Sequence, residues 1–328
     1  MMDAIDEVHR IEVPTPFPVG SVNCYLIEGS PLTLIDAGPK TSKSLEALQQ
    51  GLKALSYSLS DIEQILLTHS HVDHVGMVAQ IAREREKVHG NPPMVWVNQR
   101  DAEAVVNYDR YMERYTETFV RLIAASGVLE QVTNTPMLEN RAEFFKKIGE
   151  SFPAAHTFSD GTTFMTGIGE LSAFWVPGHS SGSTCFVCDE KRIIFSGDHI
   201  IGDISSNPSI SFDNSEKIGM LTYLDSLDYI LSKEGFIALP GHREPILDIK
   251  SRIKTLKDEY TEKLQRAAKS LTQNPQTIYE ISRIIYGDYD PSSLILALAE
   301  TYDILRILEK NNQAILLDQS GVIKVIEQ

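Results

Sequence analysis

Within Thr68 to Gly76, reading THSHVDHVG, four side chains are of the types that bind metal ions: His69, His71, Asp73 and His74. Imidazole and carboxylate without thiolate suit zinc, and also iron or manganese. His69 and His71 lie two apart, so an extended backbone turns both rings to one face, where they can grip one ion. Asp73 and His74 come as the chain turns toward a helix and can face an adjacent ion. Two ions need more ligands, and three later positions suit them. His179 follows Val176-Pro177-Gly178, Asp198 follows Ser196-Gly197, and His242 follows Leu239-Pro240-Gly241. Each comes just after a strand-like run and directly after a glycine that lets the backbone turn closely. Two divalent ions about 3.5–4 Å apart can share a water and lower its pKa toward neutrality, and an ion also polarises the attacked oxygen. The chemistry expected is therefore hydrolysis.

The elements that must position these residues follow from periodicity. Extended segments are expected at Ser21–Glu28 and Leu32–Ile35, separated by the turn Gly29-Ser30-Pro31. Leu45, Leu48, Leu52 and Leu55 mark a helix by their three- and four-residue steps. Ile62–Leu67 is a strand that delivers the histidine cluster at its C-terminal end, where open α/β sheets keep their ligands. A helix with Val78, Ile81 and Ala82 and a strand at Met94–Val97 follow. Short strands return at Thr162–Thr166, Gly169–Val176, Thr184–Cys188 and Arg192–Ser196. A leucine helix (Leu221, Leu224, Leu227, Leu231) and the strand Phe236–Leu239 come next. Each half of residues 1–249 thus supplies a sheet with helices, which implies an α/β, four-layer αββα sandwich.

Two stretches stand apart. Over 99–155 a helical insertion is expected, with Val105, Tyr108, Met112, Tyr115, Phe119 and Leu122 on one long amphipathic helix, and Leu138, Phe144, Phe145 and Ile148 on a second. Its aromatic stripe serves either as a packing or homodimer surface or as a cap over the metal cleft, with Tyr108, Tyr111 and Tyr115 able to hydrogen-bond while packing. Residues 250–328 read as three helices, the third starting at Pro291, and a terminal pair of strands, a small winged-helix-like domain. The uses open to it are structural or dimerising contact, nucleic-acid contact and a share of the pocket rim.

Net charge is −15, and all of the excess lies in residues 1–249, which hold 19 basic against 34 acidic groups; residues 250–328 hold eleven of each. An acidic catalytic region does not draw in a polyanion by its long-range field, so duplex DNA is not an expected partner, whereas a small-molecule substrate or short single-stranded RNA is. No apolar run approaches the roughly 20 residues of a membrane span. The opening MMDAIDEVHRIEVP is acidic without an apolar signal segment, which points to the cytoplasm. Cys185 and Cys188 sit three apart in the strand-like STCFVC, hence on opposite faces, and are expected to be ordinary buried thiols.

The spacing HxHxDH, with the later Pro-Gly-His, Gly-Asp and Pro-Gly-His, resembles the metallo-beta-lactamase superfamily of binuclear hydrolases. The resemblance covers most of residues 1–249 and implies that His69, His71 and His179 hold one metal, that Asp73, His74 and His242 hold the other, and that Asp198 bridges them. It further implies that Asp36 supports the ligand loop and that the ions, zinc or else iron or manganese, carry a bridging hydroxide, with Asp73 and Asp198 catalytic. True beta-lactamases of this class commonly have cysteine where Asp198 stands, which argues against antibiotic hydrolysis. The C-terminal module resembles the winged-helix domain of the beta-lactamase-like protein 2 branch, although the loop reads GHREPI, with Arg243 where many relatives have glycine. The expected substrate is a small ester, thioester or lactone; similarity to hydroxyacylglutathione hydrolases supports thioester chemistry. The alternatives are a phosphodiesterase or single-strand endoribonuclease, with Arg243, Arg252 and Lys254 in a basic groove, and a metal-bound ligand-binding protein without turnover. No general acid is assigned: His199, beside Asp198, could take the role but is expected instead to point outward or to support a ligand, and His9, His89 and His156 are expected to be non-catalytic.

Overall fold

Successive residues of a strand point to opposite faces, and a strand covered on both sides therefore reads as a continuous apolar run. Thr33–Ile35 (β3) and Gln64–Leu66 (β4), each an apolar pair after one buried polar residue, are covered in this way at the centre of a six-stranded sheet. In the computed structural model, which describes residues 6–128, 137–208, 217–233, 235–290 and 293–328 (backbone alone for 137–142), Leu34 and Ile65 face outward. There they meet Leu48 and Leu52 of helix α1 (Ser42–Ala54) and Val78 and Ile81 of α3 (Val78–His89). A single turn, α2 (Val72–Val75), precedes α3. Ile35 and Leu66 face the other way, onto a second sheet.

The first sheet runs in chain order: β1 (Val8–Val13), β2 (Val22–Ile27), β3, β4, β5 (Met94–Asn98) and β6 (His156–Phe158). Its first two pairings are antiparallel and the remaining three parallel. The second sheet has five strands: β7 (Thr163–Thr166), β8 (Gly169–Trp175), β9 (Thr184–Cys188), β10 (Ile193–Gly197) and β11 (Ile237–Pro240). Here only β10 and β11 pair in parallel. Between the sheets lie Tyr25, Phe158, Phe164, Phe186, Phe195 and Leu239. Cys188 is in this layer, while Cys185 faces the outer side of its strand, so the two thiols lie on opposite faces and both are buried. The four-layer sandwich expected from the alternation is the observed one.

Strands β1 and β6 were not expected from the sequence. Both are edge strands: β1 buries only Ile11 and Val13, and β6 exposes His156 and Thr157, so neither carries the apolar signature of a central strand. The single long helix expected over 105–122 is two, α4 (Ala102–Val106) and α5 (Tyr108–Ala125). They break at Asn107, whose side chain caps α5 by accepting from the Arg110 N–H at 3.5 Å; asparagine favours a cap over a helix interior. Helix α6 (Met137–Ile148) completes the described insertion. Leu138 lies outside the residues with described side chains, and Pro291 outside the described residues altogether.

Helix α7 (Gly219–Ile230) lies on the outer face of the second sheet. It is joined there by the C-terminal helices α8 (Ile249–Ser270), α9 (Ile278–Tyr286) and α10 (Leu294–Lys310). Thr277 and Glu280 form a reciprocal cap at the start of α9 (2.6 and 3.0 Å). The chain ends in a small antiparallel sheet ordered β12 (Gln276–Thr277), β14 (Val322–Glu327) and β13 (Ala314–Gln319). Leu256, Tyr260 and Leu298 share one apolar cluster with Val187 and Ile194 of the second sheet and Tyr223 of α7. Among the described residues no helix is long and apolar enough to cross a membrane. Because Leu256 is fully buried in that shared cluster, Leu256→Ala is expected to cost about 2–5 kcal/mol. Urea unfolding followed by circular dichroism and by tryptophan fluorescence should give one coincident transition at lower denaturant, rather than separate melting of residues 250–328.

Candidate metal centre

Every residue singled out from the motifs sits where a strand or turn ends. His69 follows β4, and His71 precedes the turn of helix that carries Asp73 and His74. His179 follows β8, Asp198 follows β10 and His242 follows β11. Two glycines make room. Gly197 (φ 49°) would put a Cβ 2.6 Å from the Thr68 hydroxyl. At Gly241 a Cβ would stand 2.4 Å from Asp198 Oδ1 and 2.7 Å from His74 Cε1.

The seven side chains converge in three overlapping triplets: His69, His71 and His179; His69, His74 and Asp198; and Asp73, His74 and His242. Within each triplet the ligand atoms lie no more than 4.8 Å apart. His179 Nε2 is 2.9 Å from His71 Nδ1 and 3.3 Å from His69 Nε2. Asp198 Oδ2 lies 3.6 Å from His179 Nε2 and 3.5 Å from His242 Nε2, while Oδ1 lies 3.5 Å from His74 Nε2. Asp73 Oδ2 is 3.4 Å from His242 Nε2. Asp198 thus stands between the two groups.

What aims these rings is the hydrogen bond each makes on its outer side. The Asp36 carboxylate accepts from the Thr68 N–H (2.9 Å), the Thr68 hydroxyl (2.8 Å) and His74 Nδ1 (2.8 Å). His242 Nδ1 donates to the Ser21 carbonyl (2.7 Å), and His179 Nδ1 to that of Ser206. With the outer nitrogen protonated, the inner nitrogen of His179 presents a lone pair; burial lowers His74 and His242, but Asp198 outweighs it and raises both, so an arriving cation would displace a proton from each of their inner nitrogens. Burial, reinforced by His74 and His71, keeps His69 well below the usual histidine range; burial, with His71, lowers His179 to about 4. Burial would push Asp198 and Asp73 upward, but His242 and His74 outweigh it and hold both carboxylates below their ordinary range.

These donors fit a divalent cation. Nitrogen lone pairs aimed at one another at 2.9–3.3 Å cannot all be satisfied by protons they share. His74 Nε2 and Asp198 Oδ1 are buried without a hydrogen-bond partner among the described residues, an arrangement that costs stability unless a cation takes up the lone pairs.

Other expectations fare differently. His199, to which no general-acid role is assigned, does not line the cleft: it is buried with its ring 5.2 Å from that of Tyr223, and burial lowers its pKa to about 3. His9 pairs with Glu28 (2.9 Å) and His156 packs on Trp96, both away from the cluster. Of the three cations expected to form a groove, only Arg243 lines the cleft. Arg252 is buried, donating to the carbonyls of Ile201 (2.6 Å) and Ile204 (2.7 Å), and the exposed Lys254 pairs with Asp258.

A cavity of about 660 Å³ opens onto the cluster. Helices α5 and α6 wall it with Tyr108, Tyr111, Met112, Tyr115, Phe144 and Phe145, so the insertion caps the cleft. Phe17 stacks on Phe145 with centroids 5.6 Å apart, and the buried Tyr108 hydroxyl donates to the Phe145 carbonyl (2.7 Å). Ser293 and Leu296 bring the C-terminal module to the rim. Phe17 and Leu296 were missed in the sequence; the aromatic between prolines in Pro14-Thr15-Pro16-Phe17-Pro18 was the one available hint.

Two facing sheets with histidines and aspartates gathered at their strand ends define a metallo-hydrolase. The chain belongs to the metallo-beta-lactamase superfamily, whose family model matches residues 17–242. It is 28% identical over 310 residues (93% of this chain, 92% of the relative) to the Bacillus subtilis (strain 168) protein named probable metallo-hydrolase YqjP. It is 24% identical over 328 residues (95% and 80%) to the atrochrysone carboxyl ACP thioesterase nsrC of Aspergillus novofumigatus. The solved structure of the metallo-beta-lactamase family protein TTHA1429 from Thermus thermophilus superposes with a TM-score of 0.82 at 24% identity, covering 98% of this chain and 99% of the other.

Because Asp36 orients both His74 and the Thr68 backbone, Asp36→Ala should weaken metal affinity by about 10–100-fold without loss of the fold. Competition with a chromophoric chelator, alongside circular dichroism, measures both.

Proposed function

We propose that the protein hydrolyses a small acyl compound, a thioester or lactone, at a centre of two divalent cations, zinc or else iron or manganese. The observation that carries this reading is the cavity: it joins the His/Asp cluster to a wall of aromatic side chains, the surroundings an apolar acyl group needs. The thioesterase relative supports the same reading.

His69, His71 and His179 would hold one cation, Asp73, His74 and His242 the other, and Asp198 would stand between them. The cations would activate water as a nucleophile and polarise the acyl oxygen. Asp73 and Asp198, held ionised, accept hydrogen bonds from the incoming water and orient it. Tyr108, Phe145 and Phe17 exclude bulk water and hold the acyl group beside the cluster. A thiolate leaves without needing a proton, so thioester hydrolysis does not call on His199; the alkoxide released from a lactone would take up the proton left on the attacking water. Residues 250–328, packed on the second sheet, would close the rim through Ser293 and Leu296.

With metal-loaded protein and a panel of acyl thioesters and lactones, chelator-sensitive turnover is expected. Asp198→Ala should lower kcat by more than the roughly 10–100-fold typical of losing an outer partner. No turnover of any acyl compound, with cleavage of short RNA instead, would replace this reading by phosphodiester hydrolysis. Phe145→Ala should raise KM for a long-chain thioester about ten-fold and leave a short-chain one nearly unchanged, reflecting one lost aromatic contact surface.

A further inference from the structure

We infer that Arg243 is a specificity residue: it binds an anionic group, a carboxylate or phosphate, carried by the substrate whose acyl part lies against the aromatic wall. The inference rests on the acyl reading above and adds the charge that the substrate must bear. Arg243 is the one lysine or arginine among the described residues lining the cavity. It directly follows His242 in the chain and lines the same cavity as His71, Asp73, His179 and Asp198.

The residue is held for this position. Its backbone is left-handed (φ 69°), a conformation that a side-chain-bearing residue adopts at a cost and that the surroundings must impose. They do so through the Arg243 carbonyl, which accepts from Asn23 Nδ2 (2.7 Å) and Arg10 Nη1 (3.2 Å). The side chain is 38% exposed and rests against Gly20, where a Cβ would come 3.2 Å from Nη1. Asp203 contacts Nε at 3.3 Å but is itself 68% exposed, so the pair contributes little energy and serves to point the guanidinium. A planar guanidinium so placed matches a carboxylate or phosphate by two parallel hydrogen bonds. A neutral carbonyl would accept from it too, but by a weaker bond than a carboxylate or phosphate makes.

The test measures binding of inert thioethers to metal-loaded, full-length protein by calorimetry, so that it does not depend on turnover. Three probes are matched in chain length: S-octyl N-acetylcysteamine, uncharged; S-octyl 3-mercaptopropionate, with the charge on the thiol side; and S-(7-carboxyheptyl) N-acetylcysteamine, with the charge on the acyl side. Carboxylates also bind cations, but that is common to wild type and variants, so the change in the anionic-to-neutral affinity ratio reads the guanidinium. For at least one anionic probe the ratio should fall about ten-fold or more in Arg243→Gln, and part should return in Arg243→Lys. Whichever probe responds assigns the anion to the acyl or the thiol side. Arg243→Gly, which suits the left-handed backbone, should match Arg243→Gln and so separates lost charge from a disturbed loop. A ratio unchanged in both variants for both anionic probes overturns the inference. Hydrolysis of the acyl thioester counterparts of all three probes, neutral and anionic, is assayed in parallel. Absent turnover with the ratio effect present sinks the acyl reading alone, and turnover with an unchanged ratio sinks the Arg243 assignment alone.

Discussion

Five imidazoles and two carboxylates are brought together beneath a cap of aromatic rings, and the structure depends on how their lone pairs are directed. An imidazole has two nitrogens, and fixing the proton on one commits the other to accept. Asp36 and the carbonyls of Ser21 and Ser206 each hold an outer nitrogen, so that His74, His242 and His179 aim their inner nitrogens at a shared centre. Cations are the partners that satisfy lone pairs arriving from several directions, and Asp198, between the groups, adds the negative charge that favours them. Asp36 has further weight because the same carboxylate holds the Thr68 backbone and thereby the loop carrying His69 and His71.

The sandwich serves this centre by placing strand ends, not by supplying ligands from within strands. β4 ends just before the first histidines on one sheet, while β8, β10 and β11 end just before His179, Asp198 and His242 on the other. The packed layer between the sheets, from Tyr25 through Phe186 to Leu239, sets the separation of those ends. Tyr25 links packing to the site directly: its ring lies in this layer and its hydroxyl donates to the Pro240 carbonyl (2.8 Å), two residues before His242. Small errors in core packing would therefore reach the metal centre through rigid strands.

Above the centre, the walls come from parts of the chain that are remote in sequence. The loop at Phe17, helices α5 and α6, and Leu296 of α10 meet at one cavity. Helix α5 also reaches the C-terminal helices, since Phe119, Leu122 and Ile123 share a cluster with Leu298 and Leu305. One helix thus packs one stretch on the body while lining the cleft with another, which is how the aromatic stripe serves both packing and capping.

All seven centre residues were legible in the sequence, as was the layered fold. The reasons are local: histidines two apart share a face of extended chain, glycines precede each later ligand, and apolar runs alternate with helical periods. The resemblance in motif order also assigned a supporting place to Asp36 without showing which atoms it would hold. Residue type alone did not separate Arg243 from Arg252, or show where the His199 ring beside Asp198 would lie. One arginine lines the cleft and the other is spent on the Ile201 and Ile204 carbonyls; one side chain faces the cluster and the next turns into the core. Edge strand β1, the break at Asn107 and the part of Leu296 at the rim were likewise decided by tertiary contacts. Which way a side chain points, and what it meets there, depends on residues hundreds of positions away, and no local period carries that information.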